Sequence, residues 1–425
     1  METVKFYTIG CKVNQYETQA IREQLQKAGL RELEDSCPAG VCVINTCTVT
    51  HRADRDAYYL IRRASRENPG ARIVVTGCLT ELDADKITDI PGVELIVKNE
   101  DKFRIPALLG GLPAARYPLP AAQPGITRFK NHTRAFLKIQ DGCNYRCSYC
   151  KVRLVRGKSR SKNSDEVEEE ARALVGNGYA EIVLCGVCLG SYGKDLTPQT
   201  TLSGLIRKLE KIAGDFRLRL SSMELSDITG ELTGTLTESK KLCPHLHIPL
   251  QSGDDQVLRR MNRHYSSARF LELVNGLKSR IPGIAITTDV MVGFPGETEG
   301  NFRNTLELIK EIQPLRVHIF AYSGRPHTPA YGSGEAVPET AVKSRTAQLS
   351  RLALAARQAY CEKFISRTGE VLVERAAAGA PGLWEGYTET YIKVRIKSGL
   401  DLKNKLVKAR LKKIYKDFVL AELAG

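Results

Sequence analysis

Twice along this chain, short apolar runs of β type alternate with helical patterns. That alternation leaves room for little except parallel sheets, because a helix that returns the chain to the same sheet makes its two strands parallel. The first hundred residues read as strand (Val4 to Ile9), helix (Ile21, Leu25 and Ala28 on one face), strand (Val41 to Ile44), helix (about Ala53 to Glu67) and strand (Ile73 to Thr76). A longer series follows, with strands at Ala135 to Ile139, Glu181 to Cys185, Phe216 to Leu220, His245 to Leu250, Ile284 to Val292 and Val317 to Tyr322. Six such units predict a partial or complete parallel barrel, whose chemistry sits on the loops at the strand C-termini. From about Tyr360 the pattern changes to short strand-like runs, Glu370 to Arg375, Tyr391 to Ile396 and Leu406 to Ile414, with turns at Gly369, Gly382 and Gly399, which predicts a small all-β, barrel-like module. Ile105 to Gly125 holds Pro106, Pro113, Pro118, Pro120 and Pro124 and reads as a linker. The expected chain is α/β: an N-terminal open parallel-sheet domain over 1–112, a linker over 113–128, a central (β/α) barrel over 129–359 and an all-β module over 360–425.

A chain of 425 residues with 42% hydrophobic composition has enough apolar surface for several cores. Its twelve cysteines, with no signal-peptide pattern, fit a reducing compartment, so the expectation is a cytoplasmic monomer. No apolar run approaches the length of a membrane span, and no membrane association is expected. The net charge of +15 is clustered: Lys151 to Lys162 carries six basic residues and no acid, and Lys393 to Lys416 carries ten against the single Asp401. Two such runs favour nucleic acid as partner, and Arg153, Arg156, Lys158, Arg160, Lys393, Arg395, Lys412 and Lys413 are the candidate phosphate contacts.

The first basic run touches the densest chemical signal in the chain, Cys143-Asn144-Tyr145-Arg146-Cys147-Ser148-Tyr149-Cys150, which follows the first barrel strand. Three thiols this close can hold three irons of a four-iron cluster and leave the fourth iron open to a small molecule. Structural zinc wants four closed ligands, and the Cys143 to Cys147 spacing is one residue too wide for its usual pair. A second set is hidden by distance. Cys11, Cys47 and Cys78 each stand just past the end of one strand of the first domain, on the sheet edge where loops converge and ligands bind. Cys42 and Cys185 lie inside apolar strand runs and read as packing. Cys185 and Cys188 form a C-x-x-C that does not precede a helix start, so it is not read as a redox pair.

With both cysteine sets in view, the chain resembles the radical S-adenosylmethionine methylthiotransferases nearly end to end. Besides the C-x-x-x-C-x-x-C loop, matches are His247-Ile248-Pro249-Leu250-Gln251-Ser252-Gly253 and Asp289-Val290-Met291-Val292-Gly293-Phe294-Pro295-Gly296-Glu297-Thr298. The run Asn45-Thr46-Cys47-Thr48-Val49-Thr50, followed by Arg52-Ala53-Asp54, is most similar to the bacterial branch that modifies threonylcarbamoyladenosine in tRNA. The resemblance implies a radical-SAM barrel, a C-terminal RNA-binding module of TRAM type, and two 4Fe-4S clusters. One cluster would be held by Cys143, Cys147 and Cys150, where S-adenosylmethionine is cleaved to a 5′-deoxyadenosyl radical. The other, held by Cys11, Cys47 and Cys78, would supply the sulfur, with a second S-adenosylmethionine supplying the methyl group. Tyr149, Glu224, Gln251, Ser252, Gly293 and Phe294 are the expected cofactor contacts, the tRNA anticodon loop the expected partner, and a flavodoxin- or ferredoxin-type protein the expected electron donor. Two departures fall near the expected barrel mouth: Lys151-Val152-Arg153-Leu154 stands where apolar residues and a proline are common, and Cys188 replaces a residue that is usually polar. Two contrasting expectations stand beside this one: an iron-sulfur RNA-binding redox sensor without catalysis, and a catalyst acting on isopentenyladenosine or on a ribosomal protein.

Overall fold

The computed structural model describes residues 2–34, 37–110 and 124–424. In the N-terminal domain β1 (Thr3–Thr8), β2 (Arg31–Glu32), β3 (Val41–Thr46), β4 (Arg72–Gly77) and β5 (Val93–Val97) form one sheet in the order β2-β1-β3-β4-β5, with every pair parallel. All six residues of the central β3 are buried, as befits a strand covered on both faces. One face packs Val4, Val41 and Val43 against Ile21 and Leu25 of α1 (Lys12–Lys27). The other packs Ile44, Ile73 and Val75 against Ala57, Ile61 and Ala64 of α2 (His51–Glu67), which starts where Thr50 Oγ1 accepts from Ala53 N at 3.1 Å. Short helices α3 (Ala84–Thr88) and α4 (Ile105–Leu108) complete the domain. Of the linker expected over 113–128, residues 113–123 lie outside the described residues.

The barrel begins at β6 (Ala135–Lys138), followed by a two-residue ladder of β7 (Gln140–Asp141) with β8 (Arg160–Ser161) and, between them, the one-turn helix α5 (Val152–Arg156). After α6 (Ser164–Gly176) come β9 (Glu181–Cys185), α7 (Leu202–Glu210), β10 (Arg217–Leu220), α8 (Gly230–Glu238) and β11 (His245–His247). Then follow α9 (Asp255–Arg260), α10 (Ser267–Arg280), β12 (Ala285–Val292), α11 (Glu299–Ile312) and β13 (Arg316–Ala321). Parallel pairs run β6-β9-β10 and β11-β12-β13, and single bridges Leu218 to Leu242 and Ser222 to His247 join the two halves into one partial barrel. The run His245 to Leu250 stays in the sheet only as far as His247, since Pro249 has no N–H for a ladder. The 24-residue α12 (Glu339–Glu362) then crosses the position 359/360 where the sequence pattern changes.

The C-terminal module is a closed barrel, β14-β15-β16-β18-β17, built from β14 (Thr368–Ala376), β15 (Leu383–Thr388), β16 (Lys393–Lys397), β17 (Leu406–Ile414) and β18 (Val419–Leu423). Val371, Val373, Val394, Ile396, Leu411 and Val419 fill its core. One buried carboxylate clasps it to the central barrel. Glu181 accepts from Arg217 Nε at 2.7 Å and Arg219 Nε at 2.8 Å, which turns the outer N–H groups of both guanidiniums toward the module. There they donate to the carbonyls of Glu370, Tyr387, Thr388 and Glu389 at 3.0–3.2 Å. The Arg219 guanidinium also covers the Tyr391 ring at 4.6 Å.

Burial alone would raise the Glu181 pKa, but the charges of Arg219 and Arg217 outweigh it and hold the carboxyl far below the usual carboxylate range. A depressed folded pKa adds stability that is fully present above the unfolded value and is lost as pH falls through the folded one. Glu181→Gln should therefore destabilise the barrel by about 3–5 kcal/mol, because it strands two buried guanidiniums. Urea unfolding of both proteins should show that gap undiminished at pH 7 and narrowing only below about pH 4.5; a gap that widens on acidification would contradict it.

Candidate functional site

Three cysteines separated in sequence meet at the C-terminal edge of the N-terminal sheet. Cys11 follows β1 and caps α1, Cys47 follows β3 and Cys78 follows β4. The preceding glycines make this approach possible. Gly10 has φ +126°, and a Cβ there would lie 2.9 Å from Cys47 Cβ; Gly77 has φ +100°, and its Cβ would meet the Thr46 carbonyl oxygen at 2.4 Å. Burial pushes the Cys47 thiol up to about 11, with the neighbouring Cys78 and Cys11 adding to the rise. Burial also raises Cys78, against the opposing charge of Arg156, whose Nε donates to Cys78 Sγ at 3.2 Å.

Arg156 is supplied by the central domain. Besides Cys78 it reaches Asn14 Oδ1 at 2.7 Å, Glu17 at 2.5 and 3.0 Å and Asp141 at 3.2 Å, and it is 4% exposed. Lys138 bridges Glu17 and Asp141 at 2.7 Å each, and Lys102 meets Glu17 at 2.5 Å. The expected phosphate contact at Arg156 is thus overturned: the turn of α5 aims this side chain into the interior, where carboxylates and a thiol take its donors. Of the same run, Lys158 and Arg160 are exposed and Arg153 is half-buried.

The Asp141 carboxylate also accepts from Gly142 N at 2.8 Å, at the start of the second cysteine set. Gly142, at φ +71°, passes so close to the Lys158 carbonyl that a Cβ would lie 2.0 Å from its oxygen. Cys143 N donates to Gly157 O, Ser148 N to Met261 O and Asn262 Nδ2 to Arg146 O, which fixes the loop from both sides. Burial raises Cys147 and pushes Cys150 up to about 12, whereas a hydrogen bond from the Cys188 thiol lowers Cys143. Cys188 otherwise faces Ser191 Oγ at 3.3 Å and Asp227 Oδ2 at 3.6 Å. Arg263 Nη1 donates to Cys147 Sγ at 3.3 Å and to Glu224 Oε1 at 3.0 Å. Each set therefore has one buried guanidinium aimed at one sulfur.

Cys11, Cys47, Cys78 and Cys150 wall a single cavity of about 470 Å³. A larger cleft of about 1140 Å³, between α1, residues 127–136 and the C-terminal module, has no cysteine in its walls. Three thiols per set with N–H donors on sulfur, and no closed four-ligand cage among the described residues, suit a four-iron cluster with one iron free better than a closed zinc site.

Among the expected cofactor contacts, Tyr149 and Gln251 line this cavity. Glu224 faces the Arg263 guanidinium. Ser252, Gly293 and Phe294 are not among the residues that wall the cavity, and each has partners within the fold. Ser252 is fully buried, accepting from Asp254 N at 3.2 Å; Gly293 donates to Glu297 Oε2 at 2.8 Å and leaves room for Val342; Phe294 packs on Tyr322, with ring centroids 5.4 Å apart. In the C-terminal module Lys393 and Arg395 both turn to Glu385, at 2.8 and 3.4 Å, and Lys412 to Glu422 at 2.8 Å, whereas Lys413 is exposed and lies over the Tyr415 ring at 5.6 Å. Asn14, Glu17 and Arg263 carry no motif, and their signal is the long-range contact itself.

Residues 137–309 match the family model of the radical SAM superfamily, and residues 3–98 match the uncharacterized protein family UPF0004. The chain is 38% identical over 97% of its length to the threonylcarbamoyladenosine tRNA methylthiotransferase MtaB of Bacillus subtilis (strain 168), covering 94% of that protein. It is 39% identical to the MtaB of Thermotoga maritima, over 92% of this chain and 91% of that one. To the tRNA-2-methylthio-N(6)-dimethylallyladenosine synthase of Clostridium tetani it is 33% identical, over 96% and 93%. In fold it is similar to the radical S-adenosylmethionine methyltransferase TsrM of Kitasatospora setae, solved with cobalamin and a [4Fe-4S] cluster (TM-score 0.58, 14% identity, 77% of each chain).

Hydrogen bonds to sulfur and nearby positive charge raise the potential of an iron-sulfur cluster. In protein reconstituted with iron and sulfide, Arg156→Met should lower the midpoint potential of the cluster at Cys11, Cys47 and Cys78 alone. Arg263→Met should do so only at Cys143, Cys147 and Cys150. Redox titration by electron paramagnetic resonance, with the other cysteine set replaced by alanine, reads each separately; equal shifts in both clusters would rule out this pairing.

Proposed function

The chain belongs to the radical S-adenosylmethionine tRNA methylthiotransferases, and we propose that it converts N6-threonylcarbamoyladenosine at position 37 of tRNA to its 2-methylthio derivative. The observation that carries this reading is the single cavity walled by members of both cysteine sets, since sulfur insertion into a C–H bond needs the radical source and the sulfur source within reach of one carbon. The choice of nucleoside is supported by the 36–39% identity to relatives named for threonylcarbamoyladenosine, against 31–33% to those named for dimethylallyladenosine.

When bound, the clusters and two S-adenosylmethionine molecules per product supply the electron, the hydrogen-abstracting radical, the sulfur and the methyl group. In this reading Cys143, Cys147 and Cys150 hold the cofactor-cleaving cluster and Cys11, Cys47 and Cys78 the sulfur-delivering one. Tyr149 presents its ring to the cavity from an apolar cluster with Met261, Phe294 and Ala330, offering a flat wall for an adenine. Gln251, held at φ +65° by its N–H on Asp289 O and by its carbonyl on Met291 N, places an amide at the same wall. Asp289 lies with His247 Nε2 at 3.2 Å on the neighbouring strand and keeps this wall polar. Exposed Lys158, Arg160 and Lys413 supply charge for RNA phosphates. The electron enters from a small flavodoxin- or ferredoxin-type donor. No helix among the described residues is long and apolar enough to cross a membrane, and the protein is read as a cytoplasmic monomer.

Cys147→Ala should abolish 5′-deoxyadenosine formation from S-adenosylmethionine, whereas Cys47→Ala should retain it and lose the methylthio product. Survival of product formation in both variants would overturn the assignment of the two sets. Mass spectrometry of tRNA nucleosides from a strain lacking the gene should show loss of 2-methylthio-N6-threonylcarbamoyladenosine with ribosomal protein masses unchanged. Loss of the dimethylallyl derivative instead would move the protein to the other branch.

A further inference from the structure

Two buried lysines, Lys102 and Lys138, each have a carboxylate within 2.7 Å. Lys151 differs from them. It is 8% exposed, lines the cavity, and enters no ion pair or side-chain hydrogen bond among the described residues. Burying an unpaired ammonium is unfavourable, and a cavity wall is where an incoming anion can relieve it. Its charged surroundings leave a surplus of positive charge. Asp83 is engaged by Lys86 at 2.8 Å, and Asp54 by Arg325. Arg325 is 2% exposed and donates to Thr48 O and Thr48 Oγ1 at 3.0 Å, while its Nε and Nη1 have no partner. Beyond these two ion pairs Lys151 has no counter-charge of its own, so the corner is one negative charge short of balance. The corner lies between the two cysteine sets: Lys151 directly follows Cys150, and it shares the wall with Thr48, Val49 and Thr50, which follow Cys47.

The structure assigns Lys151 as the anchor for a single carboxylate on the N6 substituent of the target adenosine. This rests on the reading of the protein as a threonylcarbamoyladenosine enzyme and deepens it, since that substituent ends in a carboxylate and a dimethylallyl group has none. A base whose C2 lies between the two cysteine sets extends its N6 substituent along the same wall. The anchor adds to whatever general grip the fold has on RNA.

The test is a double-mutant cycle on binding, with cluster-replete protein kept unreduced so that no turnover occurs. The probes are anticodon stem-loop RNAs carrying threonylcarbamoyladenosine, its carboxamide analogue, dimethylallyladenosine or plain adenosine. Wild type should bind the carboxylate RNA about 10- to 100-fold more tightly than the carboxamide, the range of a charge-assisted hydrogen bond. Lys151→Met should lose that advantage and bind both alike, with Lys151→Arg retaining most of it. The methionine fills similar volume and removes an unpaired charge, so its Tm should be no lower than that of wild type. Equal weakening toward all four RNAs would assign Lys151 to a backbone phosphate and overturn the proposal. A selective rise in the Kd of S-adenosylmethionine would assign it to the cofactor carboxylate, with the same result, as would additive effects of protein and RNA changes. If wild type prefers the dimethylallyl RNA, the threonylcarbamoyladenosine reading itself falls; if it prefers the threonylcarbamoyl RNA but the cycle is additive, only the Lys151 anchor falls.

Discussion

Arg156 is the side chain on which the juxtaposition of the two cysteine sets depends. It leaves the central domain one turn after the Cys143–Cys150 loop, crosses into the N-terminal domain, and ends on Glu17, Asn14 and Cys78. Charges this deep are tolerated only when their hydrogen-bonding groups are met, and the shared carboxylates of Glu17 and Asp141, with Lys102 and Lys138, meet them. Apolar packing of the same area would join the domains but would leave their relative rotation loosely defined. A multi-armed ionic cluster has one good arrangement, and in that arrangement both sets face one cavity.

That cavity is electrostatically prepared for what enters it. Burial raises Cys47, Cys78, Cys147 and Cys150, so iron-sulfur assembly at these thiols would release protons as the thiolates form. The guanidiniums of Arg156 and Arg263 offset the negative charge that remains. Cys188 adds a thiol donor to Cys143.

Much of this was legible in the residue pattern. The buried parallel strands read as continuous apolar runs, and Glu181–Cys185 and Leu406–Ile414 fall where the pattern puts them. Both cysteine triads were visible, one by spacing and the other by topological position after successive strands. The pattern missed β5, β15 and β18, whose runs are interrupted by Glu, Gly or Tyr, and the two-residue β2, β7 and β8. It misread Arg156 because a basic run does not say which of its members a single helical turn will carry inward. Ser252, Gly293 and Phe294 belong to recognisable motifs, yet their atoms serve the packing of strand ends against helices. Arg263 and Glu17 acquire their roles from partners 116 and 139 residues away, which no local window holds.

The clasp at Glu181 has a consequence for geometry at long range. Two arginines oriented by one carboxylate hold four carbonyls of the C-terminal module, and one of them, Arg219, covers the Tyr391 ring, so the module cannot swing on a flexible tether. Whatever polyanion rests on its surface is presented to the cavity at one offset and one angle. In the proposed reading the enzyme is a caliper: it would measure the span between a docked stem and a reactive base, and a molecule with the correct base at the wrong span would not fit.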